Sequence, residues 1–199
     1  MADKRARAEL ARAAFALNAR SGLPALVLMT DDARLADPIP AVRALPHGSM
    51  VILRTRSDAR RAKLATELCR LTRAKHFKFL IANDAELAIR TGADGIHLAE
   101  ANAKMAAHWR ACRPNWIITA AAHTLRAAHV PFVDALFLAP LFATRSHPGG
   151  KSLGPIRARL IAQQTRVPLY ALGGVDARTA RQLAGAKFIG LAAIGGLAV

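Results

Sequence analysis

Residues 167–194, with the sequence VPLYALGGVDARTARQLAGAKFIGLAAI, decide the fold. They contain two short apolar runs, 167–172 and 186–193, of the length typical of strands that are buried on both faces of a parallel sheet. Between the runs, Asp176 is a typical first residue of a helix and Gly185 is a typical last one. The stretch therefore predicts a strand, a helix and a second strand.

The same alternation runs through the whole chain. Further apolar runs lie upstream at 24–29, 49–53, 77–82, 94–98, 115–120 and 134–139. Segments with helical spacing, helix-start signals or Ala-rich composition lie between most of the runs, at 57–71, 84–92, 101–112, 123–130 and 155–165. This pattern predicts a compact α/β protein, a single-domain (β/α)8 TIM barrel over residues 1–199, with a doubly wound open sheet as the alternative.

The two ends of the chain bear on how the barrel is completed. The last apolar run lies close to the end of the sequence, so the usual closing helix is expected to be missing or truncated. Residues 4–19 place Leu10, Ala14 and Leu17 on one helical face. We expect this N-terminal helix to pack where the closing helix would lie.

Composition limits the classes of function. The 199 residues include 29 Lys plus Arg and 13 Asp plus Glu, a formal charge of +16. Because the basic residues are dispersed and only 5% of residues are aromatic, anionic small molecules are favoured as partners and nucleic acid is not. No apolar run approaches the roughly 20 residues of a membrane span. Cys69 and Cys112 follow no framework spacing, and residues 2–20 lack a secretory apolar core, which predicts a cytoplasmic protein with reduced thiols.

Glycine pairs follow each of the last two predicted strands, Gly173-Gly174 after the seventh and Gly195-Gly196 after the eighth. Glycine lets backbone N–H groups approach an anion, and barrels commonly bind phosphate after these two strands. The helix start at Asp176 would add the positive end of a helix dipole. The pattern predicts a phosphate site, although two tight turns without a ligand would look the same.

The long segment at 140–154, PLFATRSHPGGKSLG, carries Arg145, His147 and Lys151 among glycines. Such loops are often lids over anionic substrates. The segment is not a P-loop, because Arg145 stands where the Walker A motif requires its first glycine.

Several stretches, in order, resemble the thiamine-phosphate synthase/TenI family of barrels. The longest are GADGIHLAEAN (92–102), LAPLFATRSHPGGKSLG (138–154) and 167–194, and shorter ones are VILRTR (51–56), FLIAND (79–84) and AAAHT (120–124). The resemblance implies a TIM barrel with small phosphorylated substrates. The synthases join a pyrimidine pyrophosphate to a thiazole phosphate with magnesium, whereas TenI relatives tautomerise the thiazole phosphate without a metal. Family members often self-associate, which implies a homo-oligomer.

The resemblance also implies residues on the pyrophosphate side of the site. Arg54 matches the arginine of the family's Gln-Leu-Arg-Glu-Lys strand, and Arg56 stands for its lysine. Asn83 and Asp84 keep a pair that would contact pyrophosphate and magnesium, while Asn102 stands where the family has a second metal-binding aspartate. Asp84 and Asn102 are thus the implied magnesium ligands, although one carboxylate with a neutral amide makes a poorer site for this ion.

Two histidines and several loop residues complete the implied site. His123 aligns with a histidine that moves the proton in the tautomerases, a task suited to an imidazole. His97, in the DGIH pattern, is either a substrate contact or a wall residue, and His123 could equally be structural. The other implied residues are the lid cation Lys151 and the substrate contacts Thr144, His147, Gly173, Gly174 and Ala193.

Three functions stay open at this point. The first is a thiamine-phosphate synthase that uses Arg54, Lys151 and magnesium. The second is a TenI-like tautomerase that uses His123. The third is a diverged, non-catalytic phosphate-binding barrel, because Ala121 replaces a family serine and Asn102 replaces the aspartate.

Overall fold

The backbone alternates strands and helices, and the structure, a computed structural model, describes residues 3–17, 21–55, 58–144 and 152–198. The strands are β1 (Leu26–Met29), β2 (Met50–Leu53), β3 (Lys78–Ala82), β4 (Gly95–Leu98), β5 (Ile117–Ala122), β6 (Ala135–Leu138), β7 (Leu169–Ala171) and β8 (Gly190–Ala193). The α-helices are α1 (Lys4–Leu17), α2 (Ile39–Arg43), α3 (Asp58–Ala74), α4 (Ala85–Thr91), α5 (Ala106–Cys112), α6 (Gly154–Gln164) and α7 (Ala177–Ala180). Short 3₁₀ turns cover Glu100–Met105, Arg126–His129, Arg181–Leu183 and Gly195–Leu197.

The strands form one closed, parallel barrel in chain order. β1 pairs with β2, where Val27 lies opposite Met50, and also with β8, where Leu28 lies opposite Ala193. This second pairing leaves neither strand as an edge. It confirms the predicted TIM barrel, and the alternative of an open doubly wound sheet is wrong.

The strands are continuous apolar segments because both of their faces are covered. Every residue of β1, β2 and β6 is buried. Inside the barrel, the ring of Phe137 stacks on Tyr170 at 4.6 Å between centroids and meets the edge of His97 at 5.0 Å. The Tyr170 hydroxyl donates to the Pro24 carbonyl at 2.6 Å, at the amino end of β1. These rings therefore occupy part of the barrel interior.

The N-terminal helix closes the outer layer, as predicted. α1 lies against β8, β1 and α7, and Gly195–Leu197 forms a short turn after β8. Leu10 is fully buried beside Gly196, and Glu9 pairs with Arg181 at 2.9 Å. The helix thus covers the junction between the first and last strands.

The helical segments between strands are mostly where they are predicted, although 101–105 and 181–183 are 3₁₀ rather than α-helical and 123–130 departs furthest from the prediction. α6 begins at Gly154 with Pro155 in its first turn, close to the predicted 155–165. The Ala-rich stretch 123–130, in contrast, forms only the 3₁₀ turn Arg126–His129. Val130 precedes a proline and is extended, which prevents the turn from growing into a helix. None of the described helices has the length and apolar character needed to cross a bilayer.

Replacing Leu10 by alanine should lower the free energy of unfolding by about 2–5 kcal/mol, the usual cost for a buried leucine. Phe15 lies on the same helix but is 46% exposed, so Phe15→Ala is the matched control and should change the free energy by about 0.5 kcal/mol or less. Urea unfolding measures both values. Equal losses in the two variants would contradict the packing of α1 on the barrel.

Candidate active site

A cavity of about 630 Å³ opens at the carboxyl ends of the strands, the end at which TIM barrels carry their active sites. The predicted site residues that line it are Arg54, Asn83, Asp84, His97, His123, Thr144 and Gly173. Arg34 and Arg61 also line the cavity, although the sequence analysis does not single them out.

The turn after β7 requires glycine at two consecutive positions. Gly173 has a φ of +91° and Gly174 a φ of +65°, both in the left-handed region. A Cβ on Gly173 would lie 2.8 Å from the Pro140 Cα, and one on Gly174 would lie 2.6 Å from the Ala143 carbonyl oxygen. The backbone that follows β6 therefore packs directly on this turn. Packing alone would require both glycines, with or without a ligand.

Backbone donors are nevertheless present at this turn. Within the described ranges, the amides of Gly173 and Gly174 donate to no protein acceptor. The first turn of α7 does not add the donors expected of it, because the Asp176 carboxylate accepts the amides of Arg178 and Thr179 at 2.9 and 2.8 Å. An anion here would thus bind the glycine amides rather than the helix.

The turn after β8 lies against the turn after β7. A Cβ on Gly196 would lie 2.7 Å from the Val175 carbonyl oxygen, so the two backbones are in contact. From this turn, Ile194 lines the cavity. Ala193 is 2% exposed within β8 and does not line the cavity, so the structure does not bring this predicted substrate contact into the site.

Arginines occupy another part of the cavity wall, Arg34 after β1 and both Arg54 and Arg61 after β2. The amide of Arg54 donates to Thr30 Oγ1 at 2.8 Å, which fixes the backbone at the end of β2. Arg34 donates two hydrogen bonds to the Asp31 carboxylate, at 3.2 and 2.8 Å, and these bonds hold the pKa of Asp31 below its usual value. Gly173 lines the cavity, whereas the predicted substrate contact Gly174 does not. We call Arg34, Arg54 and Arg61 the arginine side of the cavity, and the turn of Gly173 and Gly174 its glycine side.

His97 is a buried wall of the cavity. It is 5% exposed, and its Nδ1 lies 2.9 Å from Thr119 Oγ1. Burial, together with the positive charge of Arg54, lowers the pKa of His97 to about 3. The ring is therefore neutral near pH 7 and contributes shape and hydrogen bonding rather than charge.

His123 is held in one tautomer. Its Nδ1 lies 2.7 Å from the Ala139 carbonyl oxygen, which can only accept, so Nδ1 carries the proton and Nε2 is the basic atom of the neutral ring. The His123 amide donates to Glu100 at 2.7 Å, which fixes the backbone as well. This arrangement suits a group that accepts and returns a proton.

The sequence matches the family described as thiamine monophosphate synthase over residues 26–197. The chain belongs to this family. It is 32% identical over 179 residues to the thiamine-phosphate synthase of Chlorobium luteolum, which covers 86% of this chain and 84% of the relative. It is 33% identical over 174 residues to the thiamine-phosphate synthase of Chromobacterium violaceum, covering 84% of this chain and 83% of the relative.

Among solved structures, a thiamine phosphate pyrophosphorylase from Pyrococcus furiosus superposes on this chain with a TM-score of 0.71 and 23% identity. The superposition covers 90% of this chain and 86% of the other. It shows the same fold for this member of the thiamine monophosphate synthase family.

The magnesium ligands that the family resemblance implies do not fit this ion here. Asp84 Oδ1 accepts the Leu87 amide at 2.9 Å and so caps α4, while Oδ2 lies 3.3 Å from Arg61 Nε. Asn102 Nδ2 donates to Asn83 Oδ1 at 3.4 Å. Within 3–17, 21–55, 58–144 and 152–198, no three or more His, Cys, Asp and Glu side chains form a group that could hold a metal. A magnesium ion would have to displace the guanidinium from the single carboxylate.

Arg56, His147 and Lys151 lie outside the described residues, so their roles stay predictions. Arg61 and Arg34 were missed, yet each carries a signal in the sequence. Arg61 lies in the first turn of the helix after the second strand, close to the mouth, and Arg34 follows Asp31 at ion-pair spacing.

His97 should make the protein less stable in mild acid. The unfolded histidine titrates near 6.5, so below about that pH the unfolded chain gains a proton that the folded chain does not bind. Stability is therefore present above pH 6.5 and is lost as the pH falls towards 3. Between pH 7 and pH 5 this histidine should lower the free energy of unfolding by about 2 kcal/mol, an effect that should vanish in His97→Gln.

Urea unfolding of both proteins at the two pH values measures this difference. His129→Gln is the matched control, because His129 is exposed on the 3₁₀ turn and bonds only to the Leu125 carbonyl oxygen at 2.9 Å. A pH dependence that persists in His97→Gln would show that other groups cause it.

Proposed function

We propose that the protein is a transferase that couples a hydroxymethylpyrimidine diphosphate to a thiazole phosphate and releases pyrophosphate. Beyond family membership, the observation that carries the proposal is that one cavity is lined by three arginines and, at another part of its mouth, by the turn of Gly173. The arginine side follows β1 and β2, and its Arg61 guanidinium reaches the Ala82 carbonyl at the end of β3. In this ring of strands β3 lies across from β7, which the glycine side follows. Two phosphorylated substrates can therefore bind with their reacting ends between the two sides.

The proposed reaction is a displacement at carbon. The thiazole nitrogen gives its electron pair to the methylene carbon of the pyrimidine, and a C–N bond forms as the C–O bond to the diphosphate breaks. The diphosphate leaves with the electron pair of that bond. Because its charge grows in the transition state, a fixed cation beside it accelerates the reaction. We assign this task to Arg54, which is half-buried at the end of β2.

The purified protein should form thiamine phosphate from the two substrates, and Arg54→Gln should lower kcat/KM by about 100-fold. Chromatographic detection of thiamine phosphate, together with a pyrophosphate-release assay, measures both quantities. Arg90→Gln is the matched control, because Arg90 pairs with Glu86 on the outer face of α4 and does not line the cavity. It should leave kcat/KM unchanged.

Two outcomes would count against this proposal. No product above background, with or without magnesium, would exclude synthase activity for the purified chain. Thiazole phosphate that shifts the melting temperature without any turnover would favour the non-catalytic phosphate-binding barrel.

The fixed tautomer of His123 favours a second candidate function, the TenI-like tautomerisation of a thiazole phosphate. The Nε2 of His123 would take a proton from one carbon of the ring system and return it to another, and no metal or pyrophosphate is required. Ala139 orients the ring through its carbonyl, so the imidazole needs no further partner to stay in place.

His123→Ala should abolish proton exchange between thiazole phosphate and deuterated water if the protein is a tautomerase. The affinity for thiazole phosphate should change by about twofold or less, because the glycine side is untouched. NMR follows the exchange, and calorimetry measures the affinity. Wild-type protein that shows no exchange would exclude the tautomerase.

We also propose that the protein acts in the cytoplasm and forms homo-oligomers. Two unpaired thiols support the location, buried Cys69 and exposed Cys112, since an exposed thiol persists best in a reducing compartment. The frequent self-association of the family supports the oligomer.

A further inference from the structure

Arg61 spans the ends of two strands of the barrel. It lies in the first turn of α3, and its side chain is only 13% exposed. Its Nη1 donates to the Thr55 carbonyl and its Nη2 to the Ala82 carbonyl, at the carboxyl ends of β2 and β3. The guanidinium is therefore a fixed part of the cavity wall and not a mobile surface charge.

The third nitrogen of Arg61 faces Asp84. Nε lies 3.3 Å from Asp84 Oδ2, an ion-pair distance, but the two atoms form no aligned hydrogen bond. Nε is buried and has no other acceptor among the described residues. Each terminal nitrogen also keeps one N–H beyond the bond it makes to a carbonyl. A buried donor without an acceptor indicates a partner that the described residues do not supply.

The charges around the cavity point to an anion as that partner. Each carboxylate that lines the described cavity is paired with an arginine, Asp31 with Arg34 and Asp84 with Arg61. Arg54 adds a third guanidinium, so the described lining is positive without any bound ion. Arginine binds phosphate oxygens through two nitrogens at once, which suits a diphosphate.

We propose that the arginine side binds the diphosphate group without magnesium, with Arg61 holding the position beside Asp84 that a metal ion would need. This inference rests on the proposed function, because that function places the diphosphate on the arginine side. Asp84 is then a positioning residue that orients Arg61 and caps α4, and it is not a metal ligand.

The first test is calorimetric titration of the whole protein with inorganic pyrophosphate, once in EDTA and once with excess magnesium chloride. We expect binding in EDTA that is at least as tight as binding with magnesium. Binding that occurs only with magnesium would overturn the proposal, and so would the absence of binding in both buffers. The synthase assay measures product formation and not pyrophosphate binding. A failure of the proposed function can therefore be distinguished from a failure of this inference.

The second test removes the guanidinium. Arg61→Gln should weaken pyrophosphate binding in EDTA by about tenfold or more, the loss expected for a hydrogen bond to a charged group. Arg60→Gln is the matched control on the same turn, since Arg60 is exposed and donates to the Ala36 carbonyl. It should leave the affinity unchanged. Equal affinities for Arg61→Gln and the wild type would overturn the proposal.

The third test replaces Asp84. The expected change in pyrophosphate affinity differs in sign between the two possible roles of Asp84, a positioning residue or a magnesium ligand. Asp84→Asn keeps an oxygen that can cap α4 but removes the negative charge beside Arg61. If no metal takes part in binding, the affinity of Asp84→Asn for pyrophosphate should equal or exceed that of the wild type. If Asp84 is a magnesium ligand, affinity in magnesium should fall. This readout decides the question even if Arg61→Gln fails to fold.

Discussion

The pairing of β8 with β1 is the contact on which the rest of the structure depends. Leu26 lies opposite Leu191 and Leu28 opposite Ala193, which joins the two ends of the sheet. All carboxyl ends of the strands then meet at one mouth, with the arginine side and the glycine side facing each other. In an open sheet these two sides would lie at distant edges. α1 covers this junction from outside.

The fold could be predicted because each strand is buried on both faces. A doubly buried strand is a short apolar run, and the glycine or aspartate that follows it marks the start of the next element. The ends of the elements were predicted less accurately than their order. The apolar run at 186–193, for example, contains a strand at Gly190–Ala193 alone. Helix propensity gave a wrong prediction at 123–130, because alanine favours a helix there but the proline after Val130 prevents one.

The site was predictable where function follows directly from position in the barrel. Arg54, His123 and Gly173 each come just after a strand, so closure of the barrel brings them to the mouth. Arg61 and Arg34 begin outside the strands and reach the mouth through long side chains. The spacing of Arg34 from Asp31 indicates their ion pair, but no sequence spacing shows that Arg61 reaches the carbonyls of Thr55 and Ala82.

Asp84 shows how a family pattern can keep a residue while its surroundings change. The neighbouring aspartate of the pattern is Asn102 here, so Asp84 alone carries negative charge where two carboxylates would attract a divalent cation. A single, partly exposed carboxylate is stabilised here by one guanidinium that the backbone already holds at Thr55 and Ala82. The glycine side gives no comparable evidence by itself, because packing already requires Gly173 and Gly174. The case for two bound anions therefore rests on the two sides facing each other across one cavity.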